Sequence, residues 1–302
     1  MSTWSRWGYF PAFCPDDGIE LPPAGKCSPT MRPLEIAVIR CYEQKNGMEN
    51  LYYLSVYTGL QRYCKAKNIV ISNYFYDEWK EILPEGFDGI IALGKFDREQ
   101  AEFLSRRHDK IVFVDSSPDE DRFDAVIIDY ERAVGKVLDY LLNAGHRAIG
   151  LIAQRPAVEF SVMGIHECVY RTYMERMNLL NESYIYLCDY EIKNSYSLMK
   201  QAIQDHGGNL PTAFFIADDE MAAGALRALA EEKIPVPDRV NVVGFYGYYI
   251  AKYTTPALTT MNVFPDLMGQ EALNLLVERI NGRKVAKKIT IATKLVKRES
   301  SF

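Results

Sequence analysis

The stretch Thr212–Thr260, TAFFIADDEMAAGALRALAEEKIPVPDRVNVVGFYGYYIAKYTTPALTT, decides the fold. Phe214 to Asp219 is a short apolar run that ends in two carboxylates, and Met221 to Lys233 carries a small, apolar face at helical spacing. Pro235 and Pro237 punctuate a turn, after which the β-branched run Val240 to Phe245 leads to Gly247. Strand, helix, strand is the unit from which parallel sheets are built. Ligands of such sheets gather outside the carboxyl ends of the strands. That rule singles out Asp218, Asp219, Tyr246 and Gly247.

Working outward, the same alternation fills the chain. Strands are predicted over 35–42, 69–76, 87–94, 110–117 and 124–130, and helices over 51–67, around Glu78, over 97–107 with Asp97 as N-cap, and over 131–143 closed by Gly145. A second series runs 147–154, 164–177, 184–190 and 194–205 and then enters the quoted stretch. A helix over 266–281, ended by Gly282, and a tail of strand character over 287–301 complete it. The expected class is α/β, a periplasmic-binding-protein-like fold of two Rossmann-like parallel-sheet lobes joined by crossovers, with a ligand cleft between them. Residues 33–146 plus 261–292 are expected to form the N-terminal lobe, and 147–260 plus 293–302 the C-terminal lobe. Residues 1–32 read as an irregular leader: the first 30 hold two of three tryptophans and five of fourteen prolines and keep no helical or strand period.

Composition narrows the function. A net charge of −5 argues against binding nucleic acid through the whole surface, which needs clustered Lys and Arg. No apolar run approaches the roughly 20 residues of a membrane span, and no secretory signal opens the chain, so a cytoplasmic protein without membrane partners is expected. Six cysteines lack CxxC spacing, which points to reduced thiols and no metal site. GIIALGKF (Gly89–Phe96) misses the phosphate-loop pattern because Phe96 stands where a magnesium-binding hydroxyl belongs. With no GxGxxG, GxSxG or HExxH either, neither a cofactor nor an enzymatic activity is expected.

From Glu35 to Ser301 the chain resembles the effector-binding core of the LacI/GalR family of transcription regulators. The pieces that carry the resemblance are ENLYYLSVYTGLQ, FDGII, VFVDSSPD, DYERAVGKVLDYLLNAGHRAIG, IPVPDRVNVVGF, YTTPALTT, MGQEALNLL and TKLVKRES, in that family's order and spacing. The resemblance implies a ligand-sensing homodimer that controls a sugar-utilisation operon by effector-driven lobe closure, closest in tone to repressors of galactose or galactoside operons. In the family a helix-turn-helix headpiece contacts operator DNA. Residues 1–30 show no such pattern, so operator binding is expected only through a headpiece not visible in this chain. A solute-binding protein of a sugar transporter shares the fold and is the alternative.

The resemblance also implies an effector site at Tyr52, Tyr53, His166, Tyr190, Asp218 and Tyr246. Tyr52 and Tyr53 are adjacent on a helix and point about 100° apart, so one contact is expected from the pair. Tyr190 is either a ring against the ligand or a rim tyrosine. Asp218 either contacts the ligand or caps the following helix, and Asp219 is expected to cap it. His166 replaces an arginine that in relatives grips the ligand through a bidentate fork, while Tyr246 and Gly247 stand where relatives carry Asn-Asp or Asp-Asp. Together these substitutions imply an aromatic, weakly polar wall. The alternatives to a sugar of ordinary family chemistry are then an aryl glycoside, a more apolar effector or no effector at all.

Overall fold

The computed structural model describes residues 32–41, 51–75, 86–155, 164–188 and 192–302. The leader and the helix expected around Glu78 lie outside them. Strands β1 (Glu35–Arg40), β2 (Val70–Tyr74), β3 (Gly89–Leu93), β4 (Ile111–Val114), β5 (Asp124–Ile128) and β11 (Lys288–Ile291) form one parallel sheet in the order β11-β5-β4-β3-β1-β2. A second sheet joins β6 (Ile149–Gln154), β7 (Ile185–Cys188), β8 (Ala213–Ile216), β9 (Asn241–Tyr246), β10 (Thr259–Asn262) and β12 (Lys294–Val296) in the order β12-β10-β9-β8-β6-β7. Only β12 among these runs antiparallel, against β10. Central strands such as β3, β4 and β8 are buried along their whole length, as their unbroken Val, Ile and Phe runs require when helices cover both faces. Each sheet reverses its winding once, between β1 and β3 and between β6 and β8, where doubly wound folds place ligands.

Helices α1 (Leu51–Ala66), α2 (Arg98–Ser105), α3 (Tyr130–Asn143), α4 (Ile165–Arg176), α5 (Ile192–His206), α6 (Asp219–Glu231) and α7 (Pro265–Ile280) connect the strands. Their ends follow the local chemistry. Asp97 and Gln100 close a reciprocal capping box on α2, and Asp129 caps α3. Gly145 and Gly282 follow α3 and α7 with φ of 97° and 100°, a conformation in which a side chain is strained. The strand β10 was not expected. It is short, half of it threonine, and its character comes from pairing with β9; Thr259, Thr260 and Met261 are buried.

The chain passes from one sheet to the other between β5 and α3, between β10 and α7, and between β11 and β12; α3, expected in the N-terminal lobe, packs on the second sheet and on α4, with Tyr140 bonding Ser301 and Tyr173 bonding Asp139. The second passage sends α7 back against α1, and that crossing needs two glycines. A Cβ on Gly59 would lie 2.5 Å from the Asp266 carbonyl oxygen, and one on Gly269 would lie 2.3 Å from the carbonyl of Val56. The segment after α7 is then tied down by Asp124, which is fully buried. Its carboxylate accepts from Arg279 Nε (2.9 Å), Arg283 Nη2 (2.6 Å) and the Lys287 amide (2.6 Å). Burial alone would raise this carboxyl, and the bonds from Arg283, Lys287 and Arg279 outweigh it and hold the group below its ordinary value. One apolar core runs from Ile36 and Val112 of the first sheet through α3 and α7 to Phe215 and Phe245 of the second.

Gly269→Ala is expected to lower stability by ~1–3 kcal/mol, because the intruding methyl meets backbone that cannot rotate away. Gly135→Ala in α3, where the nearest atom would be a Tyr173 ring carbon at 3.9 Å, should be neutral or gain up to ~1 kcal/mol from helix propensity. Urea denaturation of both variants checks the contrast; equal effects would refute the close crossing.

Candidate functional site

The carboxyl ends of β3, β4 and β5 and the first turns of α1 and α3 face the ends of β8 and β9 and the first turn of α4. From the first sheet the centre is Asp115, the residue after β4. It is nearly solvent-free and holds a φ of 70°, which aspartate tolerates better than most residues. Its Oδ2 accepts from the Tyr53 hydroxyl at 2.9 Å, and its Oδ1 accepts from Tyr130 at 3.1 Å. Lys95, from the loop after β3, pairs with Oδ2 at 2.8 Å, donates to the Asp115 carbonyl at 2.6 Å and lies 4.9 Å from the Tyr130 ring centroid. Burial first, and the Asp115 charge second, raise the phenols of Tyr52, Tyr53 and Tyr130 well above the ordinary value, so they act as neutral donors.

From the second sheet come His166 at the start of α4, Phe215 on β8, and Phe245 and Tyr246 at the end of β9. His166 stands edge-on to Phe245 (4.6 Å between centroids), Tyr130 (5.4 Å) and Tyr246 (5.8 Å). Tyr246 packs on Tyr52 at 4.9 Å and stacks on Tyr248 at 5.5 Å. Aromatic rings therefore meet across the junction in two places, Tyr130 with His166 and Tyr52 with Tyr246. Tyr246 holds a φ of 92°, followed by Gly247 at 76°. For a bulky residue that conformation costs ~1–3 kcal/mol and persists only where its surroundings impose it. Burial, with the Lys95 charge second, pushes His166 down to about 3, so its ring is neutral at pH 7, and its Nε2 is shut off from solvent with no hydrogen-bond partner.

The adjacent aspartates divide their work differently from expectation. Asp218, not Asp219, caps α6: its Oδ1 accepts from the amides of Glu220 (2.7 Å) and Met221 (3.2 Å), and the helix starts two residues earlier than its apolar spacing suggests. Asp219 instead turns inward and accepts from the Thr260 hydroxyl (2.6 Å) and the Tyr248 amide (2.7 Å), pinning the loop after β9 to β10. Gly244 makes room for it, since a Cβ there would lie 2.2 Å from the Asp219 carboxylate. Burial raises both carboxyls, Asp218 to about 7 and Asp219 further, against the pull of their donors.

Of the residues singled out from the sequence, Tyr52, Tyr53, His166 and Tyr246 converge at this junction, and Tyr190 lies outside the described residues. Tyr52 is the member of its pair that packs inward, its hydroxyl reaching Met268 Sδ at 3.2 Å, while Tyr53 bonds Asp115. Asp218 reaches the cluster electrostatically, as a charge acting on Tyr246, with its Oδ1 taken by the cap. Asp115, Lys95 and Tyr130 were missed. The rule that picked Asp218, a carboxylate directly after an apolar parallel strand, applies equally to Asp115. Among the described residues, an open depression of about 650 Å³ next to Tyr246 is lined by Gly247, Tyr248, Tyr249, Arg62, Tyr63 and Arg298, and another of about 520 Å³ beside β7 by Arg155, Tyr186 and Asp205. Among the described residues no cluster of His, Cys, Asp or Glu could hold a metal, and no helix is long and apolar enough to cross a membrane.

Residues 138–301 match the model of the periplasmic binding protein-like domain. The HTH-type transcriptional regulator GanR of Bacillus subtilis is 34% identical over 279 residues, covering 90% of this chain and 84% of GanR. The fold is shared with a lac repressor dimer bound to operator and the anti-inducer ONPF (TM-score 0.76, 20% identity, 90% of this chain and 95% of that one). It is shared too with a complex of the transcriptional regulator CelR and cellobiose (TM-score 0.74, 22% identity, 90% and 86% covered).

A histidine held neutral when folded costs stability once the unfolded chain binds a proton that the folded one refuses. The loss from His166 therefore begins as pH falls below about 6.5 and continues toward its folded value near 3. Asp218, raised when folded, acts with the opposite sign between its unfolded value near 4 and about 7. Comparison with His166→Asn isolates the histidine. Between pH 7 and pH 5 the wild type should lose ~2 kcal/mol relative to that variant. Parallel stability profiles in chemical denaturation would refute a neutral, buried His166.

Proposed function

The chain belongs to the LacI/GalR family of transcription regulators, and from that premise we propose that residues 34–302 are its effector-sensing and dimerising core. The observation that carries the proposal is the meeting of Tyr52, Tyr53 and Tyr130 with His166 and Tyr246 around Asp115, at the carboxyl ends of both sheets. Aromatic faces suit the apolar C–H face of a sugar ring, and phenols, a carboxylate and an imidazole suit its hydroxyls. Tyr52, Tyr53, His166, Tyr246 and, at its margin, Asp218 are the proposed effector contacts, joined by Asp115, Lys95 and Tyr130; Tyr190 is kept from the sequence reading. A sugar or glycoside is the proposed effector. CelR, with the same fold, is a complex with cellobiose.

Because the rings touch across the junction, the described arrangement is a closed one, and an effector reaches the cluster only when the halves part. It then shifts the balance between open and closed forms by its difference in affinity for the two. Transmission to operator DNA runs through an element other than residues 34–302, in the cytoplasm, from a homodimer. An exposed apolar patch supports the dimer: Tyr249 and Tyr253 are 69% and 66% exposed, share a 2.7 Å hydroxyl contact and flank Ile250. The lac repressor with this fold is itself a dimer on its operator.

A thermal-shift screen over mono- and disaccharides and aryl glycosides should find a ligand that raises the melting temperature in step with its excess over Kd. Tyr53→Phe with Tyr130→Phe should weaken that ligand at least ~10-fold, about 1.4 kcal/mol, by calorimetry; unchanged affinity would place the site elsewhere. For the dimer, Tyr249→Ala with Tyr253→Ala should shift sedimentation toward monomer, and an intact dimer would refute this patch.

A further inference from the structure

We propose that the depression next to Tyr246, between α1, the first turn of α7 and the loop after β9, is a second ligand site that takes a small phosphate monoester, with Lys252 and Arg298 as its anion contacts. The site is separate from the aromatic junction and does not depend on that junction holding a sugar.

The walls come from both halves of the fold. Arg62 and Tyr63 of α1 and Asp266 of α7 belong to helices that pack on the first sheet. Tyr249 and Lys252 follow β9, and Arg298 follows β12, both strands of the second sheet. Between them runs the crossover from β10 to α7, which contributes Asn262 and Phe264 and is held by a 2.9 Å bond from the Phe264 amide to Asn262 Oδ1. The volume, about 650 Å³, is of the size that small-molecule sites occupy.

The class of ligand follows from counting charge. Three cations, Arg62, Lys252 and Arg298, line the depression against one acid, Asp266. Arg62 Nη2 and Asp266 Oδ2 pair at 2.8 Å and cancel. Among the described residues neither of the other two forms an ion pair: Lys252 lies 5.0 Å from the Tyr249 ring centroid, and Arg298 donates Nη1 to the Leu258 carbonyl, which leaves the rest of its fork. Two positive charges therefore remain. A phosphate monoester carries about −1.5 to −2 near pH 7 and neutralises both, whereas one carboxylate would leave a charge over and a neutral sugar would use neither. A guanidinium fork also matches the spacing of phosphate oxygens. The chain as a whole carries −5, so this local excess of positive charge is not the general character of its surface. Tyr63, Tyr249 and Phe264 supply apolar faces for the organic body, which favours a nucleoside over a bare sugar.

The test is calorimetric titration of the full chain, in the oligomeric state it holds in solution, with adenosine monophosphate, ribose 5-phosphate and uncharged adenosine. At least one phosphate should bind, at least ~10-fold tighter than adenosine, and should weaken as ionic strength rises; which of the two leads identifies the body. Lys252→Gln with Arg298→Gln should weaken it at least ~10-fold. Asp266→Asn, which releases Arg62, should tighten it ~3-fold, a gain that misfolding cannot imitate. Tyr53→Phe with Tyr130→Phe should leave it unchanged, since those residues belong to the junction. The inference is overturned if neither phosphate binds, if adenosine binds as tightly, if the Lys252 and Arg298 changes have no effect, or if the Tyr53 and Tyr130 changes abolish binding. Should the double glutamine variant not fold, Lys252→Gln alone, at an exposed position, and Asp266→Asn decide.

Discussion

A carboxylate taken out of water is tolerable only where donors meet it, and this constraint organises the molecule at four aspartates. Asp124 gathers Arg279, Arg283 and the Lys287 amide, and so holds the returning segment after α7 against the first sheet. Asp219 gathers Thr260 and the Tyr248 amide, which closes the loop that follows β9. Asp218 is met by the opening amides of α6, and Asp115 by two phenols and an ammonium. At Asp124, whose carboxyl is held below its ordinary value, removing an arginine strands a buried charge, at a cost of ~3–5 kcal/mol. Three of the four follow a strand at its carboxyl end, so the groups that hold the architecture are also the groups nearest the junction.

That coupling explains why the junction is built from rings. Parallel strands deliver their last side chains to a common edge, and helix first turns deliver amides there. Small polar residues at such an edge would leave it wet. Tyrosines fill the space with apolar surface while carrying a hydroxyl that can answer a buried carboxylate. Tyr53 and Tyr130 do this for Asp115, and Tyr246 reaches Tyr52 across the gap only by adopting a φ of 92°.

Much of this was legible in the sequence, and the failures have physical causes. Unbroken apolar runs and helical spacing marked the strands and helices because each element is buried in a regular pattern, and Asp97, Gly145 and Gly282 marked their ends by local chemistry alone. Strand β10 was invisible because its extended form depends on pairing with β9 and β12, a tertiary matter on which TTMN is silent. Capping was one of the two readings of Asp218, but it was also expected of Asp219, because the helix start is set by which of two adjacent carboxylates faces the amides, and apolar spacing fixes that only to within a residue or two. Tyr52, Tyr53, His166 and Tyr246 were located by family resemblance, whereas Asp115, Lys95 and Tyr130 were passed over. Asp115 was read as part of the strand over 110–117, and Lys95 only as part of a failed phosphate-loop pattern. Neither reading could show that β3 and β4 end side by side.

Hydrogen-bond saturation separates groups that hold the site from groups that remain available to a ligand. Asp115 accepts from three donors, two on Oδ2 and one on Oδ1, which fixes the carboxylate in place. Asp218 has one oxygen committed to two amides of its helix. The ring of His166 is different: aromatic neighbours on several sides fix its position without satisfying its Nε2. A polar atom positioned by apolar contacts is preorganised, because its placement does not depend on the bond it has yet to make. Where relatives are expected to use a charged fork whose guanidinium brings its own counter-ion demand, this chain sets a neutral ring in a frame of tyrosines.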